Sequence, residues 1–316
     1  MSKTSEIYFR PDCLKDYKGQ EKIKKALSFY IKSAKMRHDC LDHIIIYGNS
    51  GLGKTTLANI IVNEMEARLV SVSAPSIKTV QEMADILMNL ERHSILFIDE
   101  IHRLPKKIEE VLYFAMEDFM LETEIDGLKE RLEMSPFTLI GATTMMGMLS
   151  EPLRNRFQIT LELTPYKKES LMDIIKASIE KMEGEIDDNC AEMVARRSRG
   201  IPRIANGFIR RIRDFAMVLN EGKINKEVVE ETFDFLEIDE NGLTAQDRRY
   251  LTTLVKKFGR KAVGIDTICS ILNDDKRTIE TVVEPYLIQK GFIVKTPRGR
   301  IVVEDAIRMV KEWEGR

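Results

Sequence analysis

The sequence predicts an α/β protein: a core built on a parallel sheet, then a small all-helical domain, then a C-terminal winged helix. Three observations lead to this prediction. In the first half of the chain, short apolar segments alternate with helical patterns, as in parallel sheets covered by helices on both faces. Helical patterns without strands follow. Near the C-terminus, a last group of helices precedes two strand-like segments joined by a tight turn.

Three segments of the first half have the pattern of buried strands, being apolar, rich in β-branched residues and bounded by turn residues. They occupy residues 42–48, 94–99 and 137–141. Helical patterns cover residues 21–36 and 55–65. Residues 8–20 contain Pro11 and Gly19 and lack such periodicity, which predicts an extended arm before the first helix.

The second half of the chain is mainly helical. Helices are predicted over residues 167–182, 187–198, 203–219, 225–236, 244–257, 265–272 and 276–289, and strands over 292–296 and 300–303. A break in composition at residues 239–243 separates the two helical groups. A chain of 316 residues suits several domains, and the boundaries predicted here are 1–165, 166–238 and 239–316.

Composition excludes several classes of protein. The formal net charge is −2, so a nucleic-acid partner would have to bind a local basic surface. The four cysteines are scattered without a C-x-x-C pair, which argues against a disulfide framework or a zinc site. The N-terminal residues lack the apolar segment of a signal peptide, and there is no long apolar run, so a cytoplasmic protein is expected.

Residues 48–55 fit the phosphate-loop pattern G-x-x-x-x-G-K-[ST], after a predicted strand and before a predicted helix. Its glycines let backbone N–H groups surround phosphate oxygens at the positive end of a helix. Lys54 is expected to reach the β- and γ-phosphates, and the Thr55 hydroxyl to bind Mg²⁺. The nucleotide-contacting residues expected in this segment are Gly48, Gly51, Leu52, Gly53, Lys54, Thr55 and Thr56.

Two carboxylates, Asp99 and Glu100, directly follow the apolar strand at residues 94–99. This position is the carboxyl edge of a parallel sheet, where ligands bind in such folds. Asp99 is expected to hold magnesium through water, and Glu100 to polarise the attacking water. The second acid favours ATP hydrolysis over nucleotide binding alone.

Three arginines are candidates for contacts with the γ-phosphate. Arg154 and Arg156 lie two residues apart, and either could stabilise charge in a neighbouring subunit's site or form a surface salt bridge. Arg203 follows Pro202 at a predicted helix start, where a cation is unfavourable unless an anion binds beside it.

The C-terminal hairpin is basic. Lys290, Lys295, Arg298 and Arg300 cluster around a Thr-Pro-Arg-Gly turn. Such cations would contact phosphates with little sequence preference. The alternative is a solvated charged hairpin without a ligand.

Several segments resemble one family, the RuvB ATPases that move bacterial Holliday junctions. The most specific are Asp99-Glu-Ile-His-Arg-Leu104, Ala115-Met-Glu-Asp-Phe119, Arg199-Gly-Ile-Pro-Arg203 and Thr296-Pro-Arg-Gly-Arg300. The resemblance extends from about residue 8 to about residue 305 in the same order. It implies an AAA+ P-loop core, a helical lid, a winged helix, a homo-hexameric ring with ATP and Mg²⁺ between subunits, duplex arms of a four-way junction as substrate, and a RuvA-like partner.

The resemblance also implies roles for matching residues. The adenine is expected beside Phe9, Arg10, Tyr17 and Tyr166. Thr144 matches a polar sensor at a strand end, Arg156 the arginine finger with Arg154 beside it, and Arg203 the lid arginine that senses the γ-phosphate. The DNA-contacting cations match or neighbour Lys276, Lys295, Arg298 and Arg300.

The sequence departs from the family at several points. Met145 and Met146 stand where Arg-Ala is usual, Gly207 replaces a usual arginine, and residues 120–135 are about four residues shorter than the usual hairpin that contacts RuvA. Two other functions therefore remain open: a clamp-loader-like or protein-remodelling ATPase, and a nucleotide-gated adaptor without turnover. A basic wing favours the DNA motor over the remodeller, and the pair Asp99 and Glu100 favours turnover.

Overall fold

The computed structural model describes residues 10–125 and 128–314, which form two compact units. Unit 1 runs to Glu183 and also includes Gly200–Gly207. Unit 2 comprises Gly184–Arg199 and the residues from Phe208 onward. In the described part of the chain, no helix is long and apolar enough to cross a membrane.

The centre of unit 1 is a five-stranded, all-parallel sheet with the order β2-β3-β6-β1-β7, as the alternating pattern predicted. A separate antiparallel hairpin consists of β4 and β5. The strands of unit 1 are β1 (Ile44–Tyr47), β2 (Leu69–Ser73), β3 (Ile95–Asp99), β4 (Met120–Ile125), β5 (Leu128–Glu133), β6 (Thr138–Thr143) and β7 (Ile159–Glu162).

Helices cover the sheet of unit 1. They are α1 (Glu21–Arg37), α2 (Lys54–Met65), α3 (Val80–Met88), α4 (Lys106–Glu117), α5 (Glu151–Asn155) and α6 (Lys168–Glu180). The strand residues Ile45, Leu96 and Leu139 are fully buried in one apolar core with side chains of α3 and α4. These continuous apolar runs were predictable as strands because both of their faces are covered.

The strands β2 and β7 were not predicted. They lie at the two edges of the sheet and alternate between more and less exposed residues. Their segments, Leu69–Ser73 and Ile159–Glu162, therefore lack the long apolar run that identified the three central strands.

The parallel register aligns the carboxyl ends of three strands. β6 lies between β1 and β3, with Tyr47 paired to Thr143 and Ile98 paired to Gly141. The segments that follow β1 and β3, with the last residues of β6, therefore meet at one edge of the sheet. The phosphate loop and the pair of carboxylates follow these strands.

Three further helices follow α6: α7 (Asp188–Arg197), α8 (Pro202–Leu219) and α9 (Lys226–Phe235). The helix α8 begins in unit 1 and continues in unit 2. Asp187 and Asn225 accept hydrogen bonds from the backbone N–H groups of Cys190 and Val228 and so cap α7 and α9. The predicted helical group is present, while its boundaries as a separate domain stay a prediction.

The C-terminal part of unit 2 has the predicted order of helices followed by a hairpin. Its elements are α10 (Ala245–Phe258), α11 (Ile265–Leu272), α12 (Lys276–Thr278), a π-helical segment (Ile279–Val283), α13 (Glu284–Gln289), β8 (Ile293–Thr296), β9 (Gly299–Val302) and α14 (Glu304–Glu314). Backbone bonds between Val263 and Arg300 add a third short strand segment to the hairpin. The sequence analysis did not predict α14.

The predicted helix over residues 276–289 is interrupted by the π-helical segment. Pro285 lies two residues after that segment, as the second residue of α13. Proline has no N–H to donate to the carbonyl four residues earlier, here that of Thr281, and its ring crowds that turn. A widened turn relieves the crowding, which gives a physical reason for the π-helical geometry.

Candidate nucleotide-binding site and winged helix

Two glycines of the phosphate loop, Gly48 and Gly51, combine a positive φ with a close approach to other atoms. Gly48 has φ 143°, and a Cβ atom there would lie 2.4 Å from the carbonyl oxygen of Leu163. Gly51 has φ 81°, and its Cβ would lie 2.8 Å from Ile201. Both the left-handed conformation and the close approach exclude a side chain. The fold of unit 1 therefore uses these glycines to shape the loop.

The remaining loop residues lie at the start of α2. Gly53 is the N-cap residue and Lys54 the first helical residue. Thr55 and Thr56 are half-buried in the first turn, and Leu52 is buried in the core. The loop therefore presents the positive end of a helix together with two hydroxyl groups, a suitable environment for phosphate and a cation.

Lys54 is buried, with 8% of its surface exposed, and its ammonium group lies inside the loop. Nζ donates to the carbonyl oxygens of Gly48 at 2.8 Å and Asn49 at 3.1 Å. Burial lowers the pKa of Lys54, although Glu100 and Asp99 act in the opposite direction. Its hydrogen-bond partners are neutral, so a bound anion would compensate this charge better than the loop does.

The two acids come at the end of β3, and their negative charges oppose the lowering of the Lys54 pKa by burial. The Oδ1 atom of Asp99 accepts a hydrogen bond of 3.0 Å from the backbone N–H of Glu100. Glu100 itself has a left-handed backbone, with φ 52°. That turn directs the chain away from the sheet after β3. The structure thus brings the phosphate loop and both acids to the same sheet edge.

His102 connects Glu100 to the end of β6. Its Nε2 lies 3.4 Å from Oε2 of Glu100, and its Nδ1 lies 2.8 Å from Oγ1 of Thr143. Thr143 Oγ1 also accepts a hydrogen bond of 2.9 Å from the N–H of Met145. A neutral imidazole with its proton on Nε2 satisfies both contacts, because the Thr143 hydroxyl can then donate to Nδ1.

The family resemblance assigned the role of polar sensor to Thr144. Thr144 is half-exposed just beyond the end of β6, whereas Thr143 is fully buried and carries the hydrogen bonds to His102 and Met145. No pattern in the sequence distinguishes the two adjacent threonines. The register of β6 decides which of them faces His102.

The arm before α1 is bound to unit 1 by several hydrogen bonds. Lys181 donates to the carbonyl of Arg10 at 2.9 Å, and the Gln20 side chain donates to the carbonyl of Thr164 at 2.7 Å. Tyr17 and Tyr166 are buried, and their hydroxyl groups share a hydrogen bond of 2.8 Å. Burial raises the pKa of both phenols, so both stay protonated at neutral pH.

The tyrosine pair lies next to the phosphate loop. A Cβ atom on Gly53 would be 3.6 Å from the Tyr17 hydroxyl and 3.8 Å from the Tyr166 hydroxyl. Three of the four residues predicted to surround a base, Arg10, Tyr17 and Tyr166, thus belong to the segments packed around this loop. The fourth, Phe9, lies outside the described residues.

Arg203 also reaches the phosphate loop. Its Nη1 donates to the Ser50 hydroxyl at 3.3 Å, and its backbone N–H donates to the carbonyl of Gly51 at 3.3 Å. Both cations thus bind the same loop, and the charge of Arg203 contributes to lowering the pKa of Lys54. A second cation at the positive end of α2 favours an anionic ligand there.

Arg154 and Arg156 differ in their surroundings. Arg154 is exposed at the end of α5. The Arg156 guanidinium donates to Glu117 at 2.8 Å and to the carbonyls of Tyr113 and Pro152. In the described residues, neither arginine forms a hydrogen bond or ion pair with the phosphate loop of its own chain.

Three of the four cations predicted to contact DNA are exposed on the winged helix. Lys276 lies 3.6 Å from Asp266, and Lys295 lies 3.4 Å from Glu280. Both pairs are solvated and so hold their lysines weakly. Arg298 is exposed in the turn between β8 and β9, and within residues 128–314 no carboxylate pairs with it.

Arg300 differs from the other three cations predicted to contact DNA, because its side chain is only 6% exposed. Its Nε donates to Glu284 at 2.6 Å, and its Nη2 donates to both Glu284 and Glu280. The Tyr250 hydroxyl also donates to Glu284, at 2.9 Å. Hydrogen bonding to Glu284 raises the pKa of Arg300. The guanidinium is used inside the winged helix and joins β9 to α13.

Fold and site together define the class of this protein. It is a P-loop ATPase of the AAA+ type, with a phosphate loop, an acidic strand end and a second cation around one sheet edge, followed by helices and a winged helix. The sequence models of three domains match the chain: the Holliday junction DNA helicase RuvB P-loop domain over residues 9–163, the RuvB AAA lid domain over 166–239, and the RuvB C-terminal winged helix domain over 240–311.

Solved structures of RuvB proteins are also similar to this chain. The Thermotoga maritima RuvB Holliday junction branch migration motor is 45% identical to this chain and superposes with a TM-score of 0.84. The match covers 96% of this chain and 98% of the Thermotoga chain. A variant of that protein gives a TM-score of 0.85 at the same identity and coverage. The Aeropyrum pernix ORC1 protein, solved in complex with DNA, shares only the fold, at 16% identity, a TM-score of 0.54, and 99% and 97% coverage. The chain belongs to the RuvB family of Holliday junction DNA helicases.

Proposed function

We propose that this chain is the motor subunit that moves four-way DNA junctions, using ATP bound between the phosphate loop and the carboxylates at the end of β3. One observation carries the proposal. The buried ammonium of Lys54 has only carbonyl partners and lies beside Asp99, Glu100 and Arg203. A triphosphate with its metal would satisfy this mixture of cations and acids.

Magnesium fits the available donors. Thr55 offers a hydroxyl in the first turn of α2, and Asp99 a carboxylate at the end of β3, both hard oxygen ligands of the kind Mg²⁺ prefers. Within residues 10–125 and 128–314 no cluster of three acidic, His or Cys side chains could hold a metal by itself. Phosphates and water would therefore complete the coordination. The ion would neutralise charge on the phosphates during transfer.

Different residues of the chain then have separate roles at the γ-phosphate. Lys54 and Arg203 hold its negative charge, and Glu100 orients and polarises the attacking water. Thr144, at the end of β6, reports the state of the phosphate to the following segment. Tyr17, Tyr166, Arg10 and Phe9 hold the adenine end of the nucleotide.

We propose a homo-hexameric ring in which Arg156 enters the site of the adjacent subunit, with Arg154 beside it. Arg156 and Arg154 lie together at the end of α5, outside the hydrogen-bond network of their own phosphate loop. An arginine supplied by a second subunit couples turnover in one site to the position of its neighbour. This arrangement makes hydrolysis dependent on assembly.

DNA is proposed to bind the exposed cations of the winged helix, Lys276, Lys295 and Arg298. The chain as a whole is not basic, so binding depends on this local surface. Contacts from such side chains to phosphates carry little sequence information, as a motor that passes over any sequence requires.

A RuvA-like protein is the proposed partner that places the ring on a junction. Its expected contact is the hairpin of β4 and β5, which the family resemblance of the sequence predicts to be about four residues shorter than usual. The shortening predicts a modified partner surface. A cytoplasmic location also stays a prediction.

A junction-dissociation assay tests the motor function. Synthetic four-way junctions are incubated with the protein, Mg²⁺ and ATP, with or without a RuvA-type protein, and the release of duplex products is measured. We expect release that requires ATP and stops with a non-hydrolysable analogue. ATP turnover without release under any condition, together with no DNA binding at low salt, would favour the protein-remodelling alternative.

A further inference from the structure

The guanidinium of Arg156 is held in one orientation by three groups of its own subunit. Nε donates to the carbonyl of Tyr113 at 3.1 Å, Nη1 to the carbonyl of Pro152 at 2.9 Å, and Nη2 to the carboxylate of Glu117 at 2.8 Å. Each of its three nitrogens therefore has a partner. A planar guanidinium with partners on all three nitrogens has little rotational freedom.

An aromatic ring supports the same guanidinium from its face. The Cζ atom of Arg156 lies 4.7 Å from the centre of the Tyr113 ring, within the range of a cation–π contact. The Tyr113 hydroxyl lies 2.8 Å from the hydroxyl of Ser150. Ser150 in turn caps α5 by accepting a bond from the N–H of Leu153. Tyr113 thus joins α4 to the start of the short helix that carries Arg156.

The ion pair with Glu117 lies at the surface: the Glu117 side chain is 63% exposed, and the Arg156 side chain 26%. Exposed pairs contribute little to folding because water already solvates both charges. Its main effect is on the orientation of the arginine, since it fixes a long, flexible side chain at the surface.

We propose that Glu117 and Tyr113 are positioning residues that pre-order Arg156 for entry into the site of the adjacent subunit. This inference rests on the proposed role of Arg156 as the arginine finger. A free arginine would have to give up rotamer freedom each time it reached a γ-phosphate. An arginine already fixed by a carboxylate and a ring has lost that freedom in the folded subunit.

Removing Glu117 should therefore act on turnover in the neighbouring site. We expect Glu117→Ala to lower kcat about tenfold with little change in KM for ATP, since misplacing a group that acts on the transition state lowers the rate of the chemical step. Glu117→Gln keeps an acceptor for Nη2 and should lose only about two- to threefold. Glu110→Ala removes an exposed carboxylate from the same helix and should leave turnover unchanged.

Subunit mixing separates a defect in the neighbouring site from a defect in the subunit's own site. Each variant is diluted into an excess of Lys54→Ala subunits, which cannot turn over ATP but carry an intact Arg156, Glu117 and Tyr113. Wild-type protein is diluted in the same way. The measured quantity is the turnover of the variant divided by that of wild type, in pure rings and in mixed rings.

The ratio for Glu117→Ala should rise from about one tenth in pure rings to about one in mixed rings, because the neighbour then supplies a well-ordered arginine. The turnover ratio for Arg156→Ala must rise in the same way if Arg156 is the arginine finger. Recovery of Arg156→Ala without recovery of Glu117→Ala would overturn the positioning role alone. Failure of both to recover would overturn the arginine-finger assignment and this inference with it. Unchanged turnover of pure Glu117→Ala would also contradict the proposal.

Discussion

The phosphate loop of unit 1 and the wing of unit 2 each contain a buried cation, but the two cations have opposite partners. Lys54 is 8% exposed and donates to two neutral carbonyls, whereas Arg300 is 6% exposed and donates to two carboxylates. Burial lowers the pKa of Lys54, while hydrogen bonding to Glu284 raises that of Arg300. The partner therefore distinguishes a cation that is ready for a ligand from one that belongs to the fold.

The sign of each pKa shift supports this distinction. A lowered pKa means that burial disfavours the charged form of Lys54, and this cost is fully present only at pH values below the folded pKa. A bound polyanion would remove it. The raised pKa of Arg300 means that its charge is already compensated inside the winged helix. Four experiments test the difference between the two cations and its consequences.

The largest expected effect is on ATP turnover when the ligand-ready cation is removed. Lys54→Ala should lower kcat by about 100-fold or more, because a charge-stabilising donor acting on the transferred phosphate is lost. Its stability without nucleotide should change by less than about 1 kcal/mol, since no carboxylate of the fold loses a hydrogen-bonded partner. Phosphate release and urea unfolding measure the two effects. A large loss of stability would mean that Lys54 is structural, like Arg300.

The next effect is on folding, when the structural cation is removed. Arg300→Met should destabilise the protein by about 3–5 kcal/mol, because Glu284 would keep a buried charge without its ion-pair partner. Urea unfolding measures this loss. Arg298→Ala is the matched control from the same hairpin and should change stability by less than about 0.5 kcal/mol. Equal stability of the two variants would contradict the structural role of Arg300.

A smaller effect is expected at the contact between β6 and Glu100. His102→Ala should lower kcat about tenfold, because Glu100 loses the imidazole that faces its carboxylate and misplacement of a reacting group slows the chemical step. In a Glu100→Gln background, His102→Ala should cause little further loss of kcat. A double-mutant cycle of steady-state turnover measures the coupling. Full additivity would show that His102 acts independently of Glu100.

The smallest effect concerns one DNA contact on the wing. Arg298→Ala should weaken binding to any duplex sequence and reduce the slope of log K against log salt by about one, as expected for one phosphate contact. Fluorescence anisotropy across a salt series measures the slope. An unchanged slope would leave the exposed arginine of this turn without a role in DNA binding.

The sequence predicted most of the elements that form the site. Its three apolar strands are the central strands of the sheet, because burial on both faces produces an uninterrupted apolar run. It missed β2 and β7, whose edge positions leave alternating exposure, the helices α3, α4 and α5, and α14, which follows the wing hairpin. It also predicted the phosphate loop at residues 48–55 and the two acids. Their patterns combine the required residue types with a fixed order of strand, loop and helix.

What the sequence alone determined is the local chemistry: a loop that needs glycine, a lysine at a helix start, and acids after an apolar strand. Tertiary structure decided which of the two arginines in the hairpin is exposed, and which of the two adjacent threonines faces His102. Arg300 is buried because Glu280 and Glu284, on a different element, lie against it. Thr143 carries the hydrogen bonds because the register of β6 places it there. Charge compensation and side-chain direction arise from contacts between distant segments, which no local pattern contains.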